Sequence, residues 1–506
     1  MKIKNIILSF VMLSFILSSC EEDFLETEPT DALSTDVMFD SYDGAELAIN
    51  GIYRMIYIFD AWYDDDYNLG HHSAGYFGNV LDNDLLGEDM VRAGRGYGWY
   101  YATYGWRSHR IATGGVVTGR WYYFYNIILQ ANNLLVHIDD IDDGTRAEID
   151  HIKAQALTMR GLCYLWLVQQ RAKPYHEGRD NPGIPIYTEP QQEGNPRASV
   201  GEVYDRIVDD FDQAIDLFEA SNMGRVHESH ATIYVAHGLA ARTALAMNEY
   251  ETAVEHAQYV IDNSGTSLFT VGDFAEEPHT LMNTLGESEW LWGVHLSSEH
   301  SPGYASFQSH TDARFMSYAS LGGQIMLNHE LYDAMAETDV RRGWWIDPEH
   351  PDIGEDAFHI PYNNAKFLTH TAGAWATEIP LLRLAEMYLI KAEALARGAG
   401  SDADAAQALY DFMSNRDPEY DLSDNTGDDL IEEIMFHRRI ELWCEGFRFF
   451  DLQRTDQDLV RTEEQGHAPE HADTMEEPAG SNRWLWRIPQ DEIDANDQIS
   501  SDNQNP

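Results

Sequence analysis

The sequence predicts a mainly α protein: a helical-repeat scaffold with long aromatic-rich loop regions and a few small strands. Three observations lead there. Apolar residues recur at steps of three and four along much of the chain between Trp121 and Met413, the spacing of one helix face. The stretches that carry this rhythm come in pairs separated by short polar breaks, as stacked helical hairpins require. Two long segments, 60–119 and 264–376, lose the rhythm and are rich in Gly, Tyr, Trp, Ser and His. Segments of that length inside a folded chain are functional loops with small strands of their own.

The N-terminus stands apart from this scaffold. Lys2 and Lys4 precede an apolar run from Ile6 to Leu17, followed by Ser18-Ser19-Cys20, the layout of a secretory signal and too short for a stable membrane span. Ending on Cys20 resembles a bacterial lipobox. That resemblance implies a lipoprotein signal peptide over 1–19 and acylation of Cys20, palmitate included, as the first mature residue. Several acyl chains on one residue anchor a protein stably where a single chain does not. Glu21-Glu22-Asp23 resembles the surface-export signal of bacterial lipoproteins. The rest divides into an N-terminal region over 20–260 and a C-terminal region over 261–506, packed as one globular unit. Substituting Cys20→Ala is expected to release the protein from the detergent-phase membrane fraction; persistence there would contradict the lipobox.

The helices follow in order. Trp121, Phe124, Ile128, Ala131, Leu135 and Ile138 form an amphipathic stripe over Arg120 to Ile138. Gly144-Thr145 opens the next helix, where Ile152, Ala156, Met159, Cys163 and Trp166 keep the rhythm, and so short a link makes the two an antiparallel hairpin. Val203, Ile207, Phe211, Ala214 and Phe218 make another stripe. Ala231 to Met247 and Tyr250 to Ile261 pair across Asn248-Glu249, and the phrase from Asn248 to Val254 resembles the start of the second helix of a tetratricopeptide repeat. A last pair runs from Pro380 to Arg397 and from Asp402 to Met413, broken at Gly398-Ala399-Gly400. Cys163 and Cys444 sit within helical patterns and read as small core residues.

Charge narrows the function classes. The chain carries 33 Lys plus Arg against 86 Asp plus Glu, a net −53, and loss of residues 1–19 removes two lysines to leave −55. A 43% hydrophobic content excludes a disordered chain. The acidic field excludes nucleic acid as the default partner. Acid-rich and lysine-poor, the chain suits high salt, where screening relieves self-repulsion. Its melting temperature is therefore expected to rise as ionic strength approaches molar levels; a flat profile would count against adaptation to salt.

Enzyme signatures fail one by one. Gly70-His71-His72-Ser73-Ala74-Gly75 has one residue too many before Ser73 for a nucleophile elbow. Gly94-Arg95-Gly96-Tyr97-Gly98 lacks the dinucleotide spacing, and His227-Glu228-Ser229-His230 lacks the zinc-helix spacing. Asp139-Asp140-Ile141-Asp142-Asp143-Gly144 breaks the calcium-loop order. Among 86 acids, carboxylate pairs arise by chance. No catalytic residue, metal ligand or cofactor is expected.

Several short motifs nevertheless fall in one order. Ala48-Ile49-Asn50-Gly51-Ile52-Tyr53 is followed by Trp121 to Tyr125, Ala131-Asn132-Asn133, Lys153-Ala154-Gln155-Ala156-Leu157 and Arg160-Gly161. Glu378 to Leu389 leads to Lys391-Ala392-Glu393-Ala394, then Arg438-Arg439-Ile440-Glu441-Leu442 and Glu445-Gly446-Phe447-Arg448. Asp451-Leu452-Gln453-Arg454 and Ile488-Pro489-Gln490-Asp491-Glu492 close the series. With the lipobox, this order resembles the SusD/RagB family of Bacteroidetes outer-membrane nutrient-binding lipoproteins, over essentially the whole mature chain. The resemblance implies a TPR-like helical protein, lipid-anchored at the outer membrane and exposed on the cell surface. It also implies capture of a glycan or related oligomer without catalysis, and a SusC-like TonB-dependent transporter over which the lipoprotein sits as a lid. Two other classes stay open: a surface glycan-degrading enzyme, and a helical-repeat adaptor that binds only protein.

Sugars present flat C–H faces ringed by hydroxyls, so aromatic platforms beside polar groups are the residues to seek. Tyr97, Trp99, Tyr101, Trp106 and Arg107 lie in the densest aromatic stretch and form the first candidate set; a strand packed on the core would give the same alternation. Tyr304, Phe307 and Tyr318 form the second, in a region that the resemblance also implies for the ligand. Trp344 and Trp345 are third, at least one of them suited to the core. Arg438, Arg439, Glu441, Glu445, Arg448, Asp451 and Arg454 lie on one predicted helix and its exit, at spacings of three and four. They read as a structural ion-pair network.

Overall fold

Helix starts are written locally. In the computed structural model, Thr145 and Ser199 each accept a hydrogen bond from the third helical N–H, while Glu148 and Glu202 reach back to the cap backbone. These capping boxes satisfy donors that a helix N-terminus leaves free. The described residues are 38–57, 69–72, 74–276, 279–297, 299–350 and 358–506; Cys20 and the signal segment lie outside them. Eleven of the helices position the rest: α1 (Tyr42–Met55), α2 (Tyr76–Leu86), α3 (Gly115–His137), α4 (Arg146–Arg171), α5 (Val200–Ser221), α6 (Ile233–Met247) and α7 (Tyr250–Asn263), then α8 (Leu384–Ala394), α9 (Asp402–Met413), α10 (Asp428–Glu441) and α11 (Arg448–Arg454). From α3 to α9 each packs on the next in chain order, and α1 lies on α3 and α4. The protein is mainly α and repeat-like, as its periodicity requires. No helix among the described residues is long and apolar enough to cross a membrane.

Three two-stranded antiparallel ladders punctuate the array: β1 (Met90–Arg92) with β3 (Ile325–Leu327), β2 (Trp290–His295) with β4 (Glu378–Arg383), and β5 (Leu459–Val460) with β6 (Glu476–Glu477). Here the structure corrects the expected helix from Pro380. Pro380 faces Gly293 across the second ladder, and the helix begins only at Leu384. Ile379, Leu381, Leu382 and Leu384 fit an extended as well as a helical pattern, so periodicity could not mark the change from extended to helical backbone. A second correction concerns 60–119, which holds α2 in place of continuous loop. Every residue of α2 is buried, the polar Asn79, Asp82, Asn83 and Asp84 included, so it lacks the solvent-facing side of a surface helix. Its Asp82 accepts from Arg120 at 2.8 Å, and Asp84 accepts the backbone N–H groups of Gly446 and Arg448.

The C-terminal charges are structural, and the Asp451–Arg454 pair at 2.8 Å keeps the spacing first read, but the other pairs do not. α10 ends at Glu441 and α11 starts at Arg448, so two helices carry them. Most partners come from distant elements. Arg438 meets Asp451 at 2.8 Å, Arg439 meets Asp89 at 2.5 Å and Arg448 meets Glu88 at 2.5 Å. Arg454 meets Glu393 at 2.6 Å. Glu441 accepts from Arg383 and Arg416 at 2.8 and 3.1 Å, and pairs with Arg341 at 3.4 Å. Arg383 reaches on to Glu289 and Glu445, where Lys366 also binds. Cys163 and Cys444 are buried free thiols, and Trp344 and Trp345 are both buried.

Candidate functional site

The β1–β3 ladder does the assembling. Val91 pairs with Met326, Arg92 with Ile325, and the Ala93 N–H continues to Gln324. The aromatic segments that leave these strands, 93–107 and 303–324, are thereby held side by side. Buried Arg92 fixes the first of them by donating to the carbonyls of Gly94 and Arg95 at 2.9 and 3.2 Å. Gly96, at φ 52°, lies so close to Gly322 and Gly323 that a Cβ would stand 3.0 Å from the Gly323 nitrogen. A side chain there would force the segments apart.

Four rings then form a line. Tyr97 and Tyr318 stand 5.4 Å apart between centroids, Tyr318 and Tyr304 5.4 Å, and Tyr304 and Trp375 4.8 Å, each pair tilted. Trp99 flanks Tyr318 at 6.2 Å, and Phe315 meets Trp375 at 4.9 Å. Tyr97 is 69% exposed and Tyr304 41%. Trp99 lies flat enough on Gly70 that a Cβ at that residue would come within 2.6 Å of the indole. Behind the line, His71 Nδ1 and the Tyr318 hydroxyl share a 2.5 Å hydrogen bond, and His310 stacks on Tyr318 at 5.3 Å. The backbone N–H of Tyr100, a residue held at φ 58°, donates to His72 Nε2 at 2.7 Å. Burial lowers the His71 imidazole and pushes that of His72 down to about 3, with Arg120 adding to the latter. Both are neutral at pH 7. The site presents exposed rings backed by neutral imidazoles.

The two candidate sets therefore meet, though not every member reaches the surface. Trp106 is 1% exposed, donates its indole N–H to the Leu86 carbonyl and packs edge-on against Trp484. Phe307 is 3% exposed between Phe77 and Phe367. Both are core residues, and no ligand can lie on them. Tyr101 and Arg107 belong to a separate patch, with the Tyr101 hydroxyl on Glu470 and His471 and Arg107 paired to Asp473 at 2.9 Å. The expected strand alternation gives way to a single helical turn, Tyr101–Tyr104, which turns Tyr104 inward. Trp375, Phe315 and His71 escaped sequence reasoning. Only their location in the two aromatic-rich segments pointed to them.

A model of the SusD family matches residues 249–506, half of the chain, and a second, described as starch-binding associating with outer membrane, matches 85–245. The chain belongs to the SusD family. A SusD-like protein from Bacteroides ovatus is 23% identical over 507 residues, spanning 89% of this chain and 82% of that protein. A SusD-like carbohydrate binding protein from Bacteroides vulgatus superposes with a TM-score of 0.78 at 26% identity, covering 91% of this chain and 98% of the other. Surface glycan-binding protein A from Bacteroides thetaiotaomicron shares the fold, with a TM-score of 0.68 at 19% identity over 92% and 99%. In this SusD-family chain the aromatic line lies across both matched regions, since Tyr97 and Trp99 fall in one and Tyr304 and Tyr318 in the other.

Proposed function

We propose that the protein is a non-catalytic cell-surface lipoprotein that binds a glycan on the line of Tyr97, Trp99, Tyr318 and Tyr304, extended by Trp375. The observation that carries this reading is the meeting of two aromatic segments, distant in sequence, on one exposed face. Tilted rings in file suit successive sugar units, whose C–H faces pack on aromatic surface. Cys20 anchors the chain in the outer membrane through its acyl chains, and family membership supports a SusC-like TonB-dependent transporter as the partner it covers as a lid. Titrating the purified protein with a glycan panel, and analysing each mixture for products, tests this. Saturable binding with intact glycan is the expected result; turnover would favour a degrading enzyme, and no binding to any glycan would favour a protein adaptor. Affinity capture from native outer membranes should bring down a TonB-dependent barrel.

A further inference from the structure

A cavity of about 150 Å3 lies between α3, the segment around Tyr187 and the short helix Gln490–Ala495. It shares no residue with the aromatic line described above. Trp121, Tyr125 and Tyr187 wall it, with centroids 4.7 Å apart for the first two and 5.7 Å for the second pair. The rings cross at 47° and 83°, making a corner of aromatic surface and not a stack. Leu129 adds aliphatic surface, and Glu189, Gln191 and Glu492 supply polar groups.

The hydrogen-bond inventory of this lining is lopsided. Most of its donors are turned to the protein, while the Tyr187 hydroxyl accepts from the Asn195 N–H at 3.1 Å and keeps its own proton. The Trp121 indole N–H donates to Glu492 Oε2 at 3.3 Å, the Tyr125 hydroxyl to the Pro185 carbonyl at 2.8 Å, and Asn132 Nδ2 to the Tyr187 carbonyl at 2.8 Å. Gln191 Nε2 donates to the Glu193 carbonyl and to Asn195 Oδ1. Acceptors remain. Glu189 has no hydrogen bond or ion pair among the described residues, and Glu492 accepts one bond on each oxygen, from Trp121 and Asn496, which leaves lone pairs over. No Lys or Arg lines the cavity. Arg171, whose guanidinium lies 5.3 Å from the Trp121 ring, is buried and donates to Gln170 and to the Val117 carbonyl.

A neutral sugar asks its site for donors as well as acceptors. A primary ammonium has three donors, no acceptor and a positive charge that both carboxylates and aromatic faces favour. The net charge of −53 adds to that preference. We propose that this cavity binds a small primary ammonium ligand of the amino-sugar class, Glu189 and Glu492 taking its protons while Trp121, Tyr125 and Tyr187 pack its carbon skeleton. The proposal is independent of the glycan reading.

Glucosamine and glucose differ by an ammonium in place of a hydroxyl, which makes them the probes. In calorimetric titrations of the purified protein at about pH 6, where an amine is protonated, glucosamine should bind at one saturable site. Its affinity should fall at least about tenfold, or 1.4 kcal/mol, in the double variant Glu189→Gln, Glu492→Gln. Glu189→Gln alone, at an exposed residue without a partner, should keep the wild-type melting temperature and still weaken glucosamine by roughly threefold. Tyr97→Ala should leave glucosamine affinity unchanged. Absence of glucosamine binding, binding indifferent to both glutamate substitutions, or glucose binding that is equally strong and equally sensitive to them would each overturn the assignment.

Discussion

Replacing Arg383 by alanine is expected to remove about 3–5 kcal/mol of the protein's stability. Arg383 is buried and donates to Glu289 at 2.6 Å, to Glu441 at 2.8 Å and to Glu445 at 2.6 Å, besides the Glu441 carbonyl at 2.9 Å. Arg416 stays behind on Glu289 and Glu441, Lys366 on Glu445, and Arg341 on Glu441 and Asp339. Three cations then face four acids, Asp339 included, and none of them replaces the fork that joined Glu289, Glu441 and Glu445. Breaking a buried pair by removing one partner costs about 3–5 kcal/mol, against a typical total stability of 5–15 kcal/mol. Arg383→Lys should recover only part of the loss, because an ammonium cannot bridge several carboxylates in a plane. Urea unfolding followed by far-UV circular dichroism reads the difference. A loss for Arg383→Ala of less than about 1 kcal/mol would mean that the network behaves like a surface ion pair, and would sink the argument.

The same network sets an acid limit. Burial pushes the Glu88 carboxyl up, but the guanidinium groups of Arg448 and Arg439 outweigh it and hold it at about 2. Glu441 and Glu445 are likewise buried, yet their arginine partners hold them below the usual carboxylate range. A depressed folded-state value means stability that is fully present above the unfolded value, near 4.3 for Glu, and lost as pH falls through the folded one. Unfolding should therefore steepen below about pH 4.

Trp99→Ala is expected to keep the fold and weaken a confirmed glycan ligand by about 2 kcal/mol, roughly thirtyfold, the scale of an aromatic anchor in a binding surface. Trp99 is half-buried, packed on Gly70 and beside His71 and Tyr318. Its loss removes one platform and also the side support of a second, so the effect should exceed that of Tyr97→Ala. Tyr101→Ala provides the contrast, since its ring meets His471 and lies on another patch; affinity there should stay within about twofold. Unchanged affinity in a folded Trp99→Ala protein would remove the aromatic line as the ligand site.

What the sequence disclosed depended on how far each signal reached. α3 to α7 and α9 are amphipathic or bounded by their own caps, so three- and four-residue steps, and Thr145 after Gly144, announced them. α2 is covered on all sides, its polar Asn79, Asp82, Asn83 and Asp84 included, and it lies within a Gly- and aromatic-rich stretch that reads as loop. Pro380 was misplaced because its strand partner, around Gly293, lies far away in the chain. At the site, composition led to Tyr97 and Trp99, and composition together with the family resemblance led to Tyr304 and Tyr318. It could not separate them from Trp106 and Phe307, because an exposed and a buried aromatic look alike until the turn at Tyr101–Tyr104 fixes which way each ring faces. Arg439 shows the same limit in the charged cluster: its partner Asp89 lies near the other end of the chain, beyond the reach of helical spacing.

The ladder between Met90–Arg92 and Ile325–Leu327 also imposes an order of events on folding. Neighbouring helices can dock as soon as both exist, because little chain separates them. Val91 and Met326 enclose the greater part of the helical array between them, and closing so long a loop carries an entropic cost that contacts with small sequence separation avoid. Three residue pairs cannot offset that cost until the intervening helices have folded and shortened the gap. The proposed binding face is thus a late product of folding, and a chain arrested partway holds its helices while the aromatic line remains in two halves.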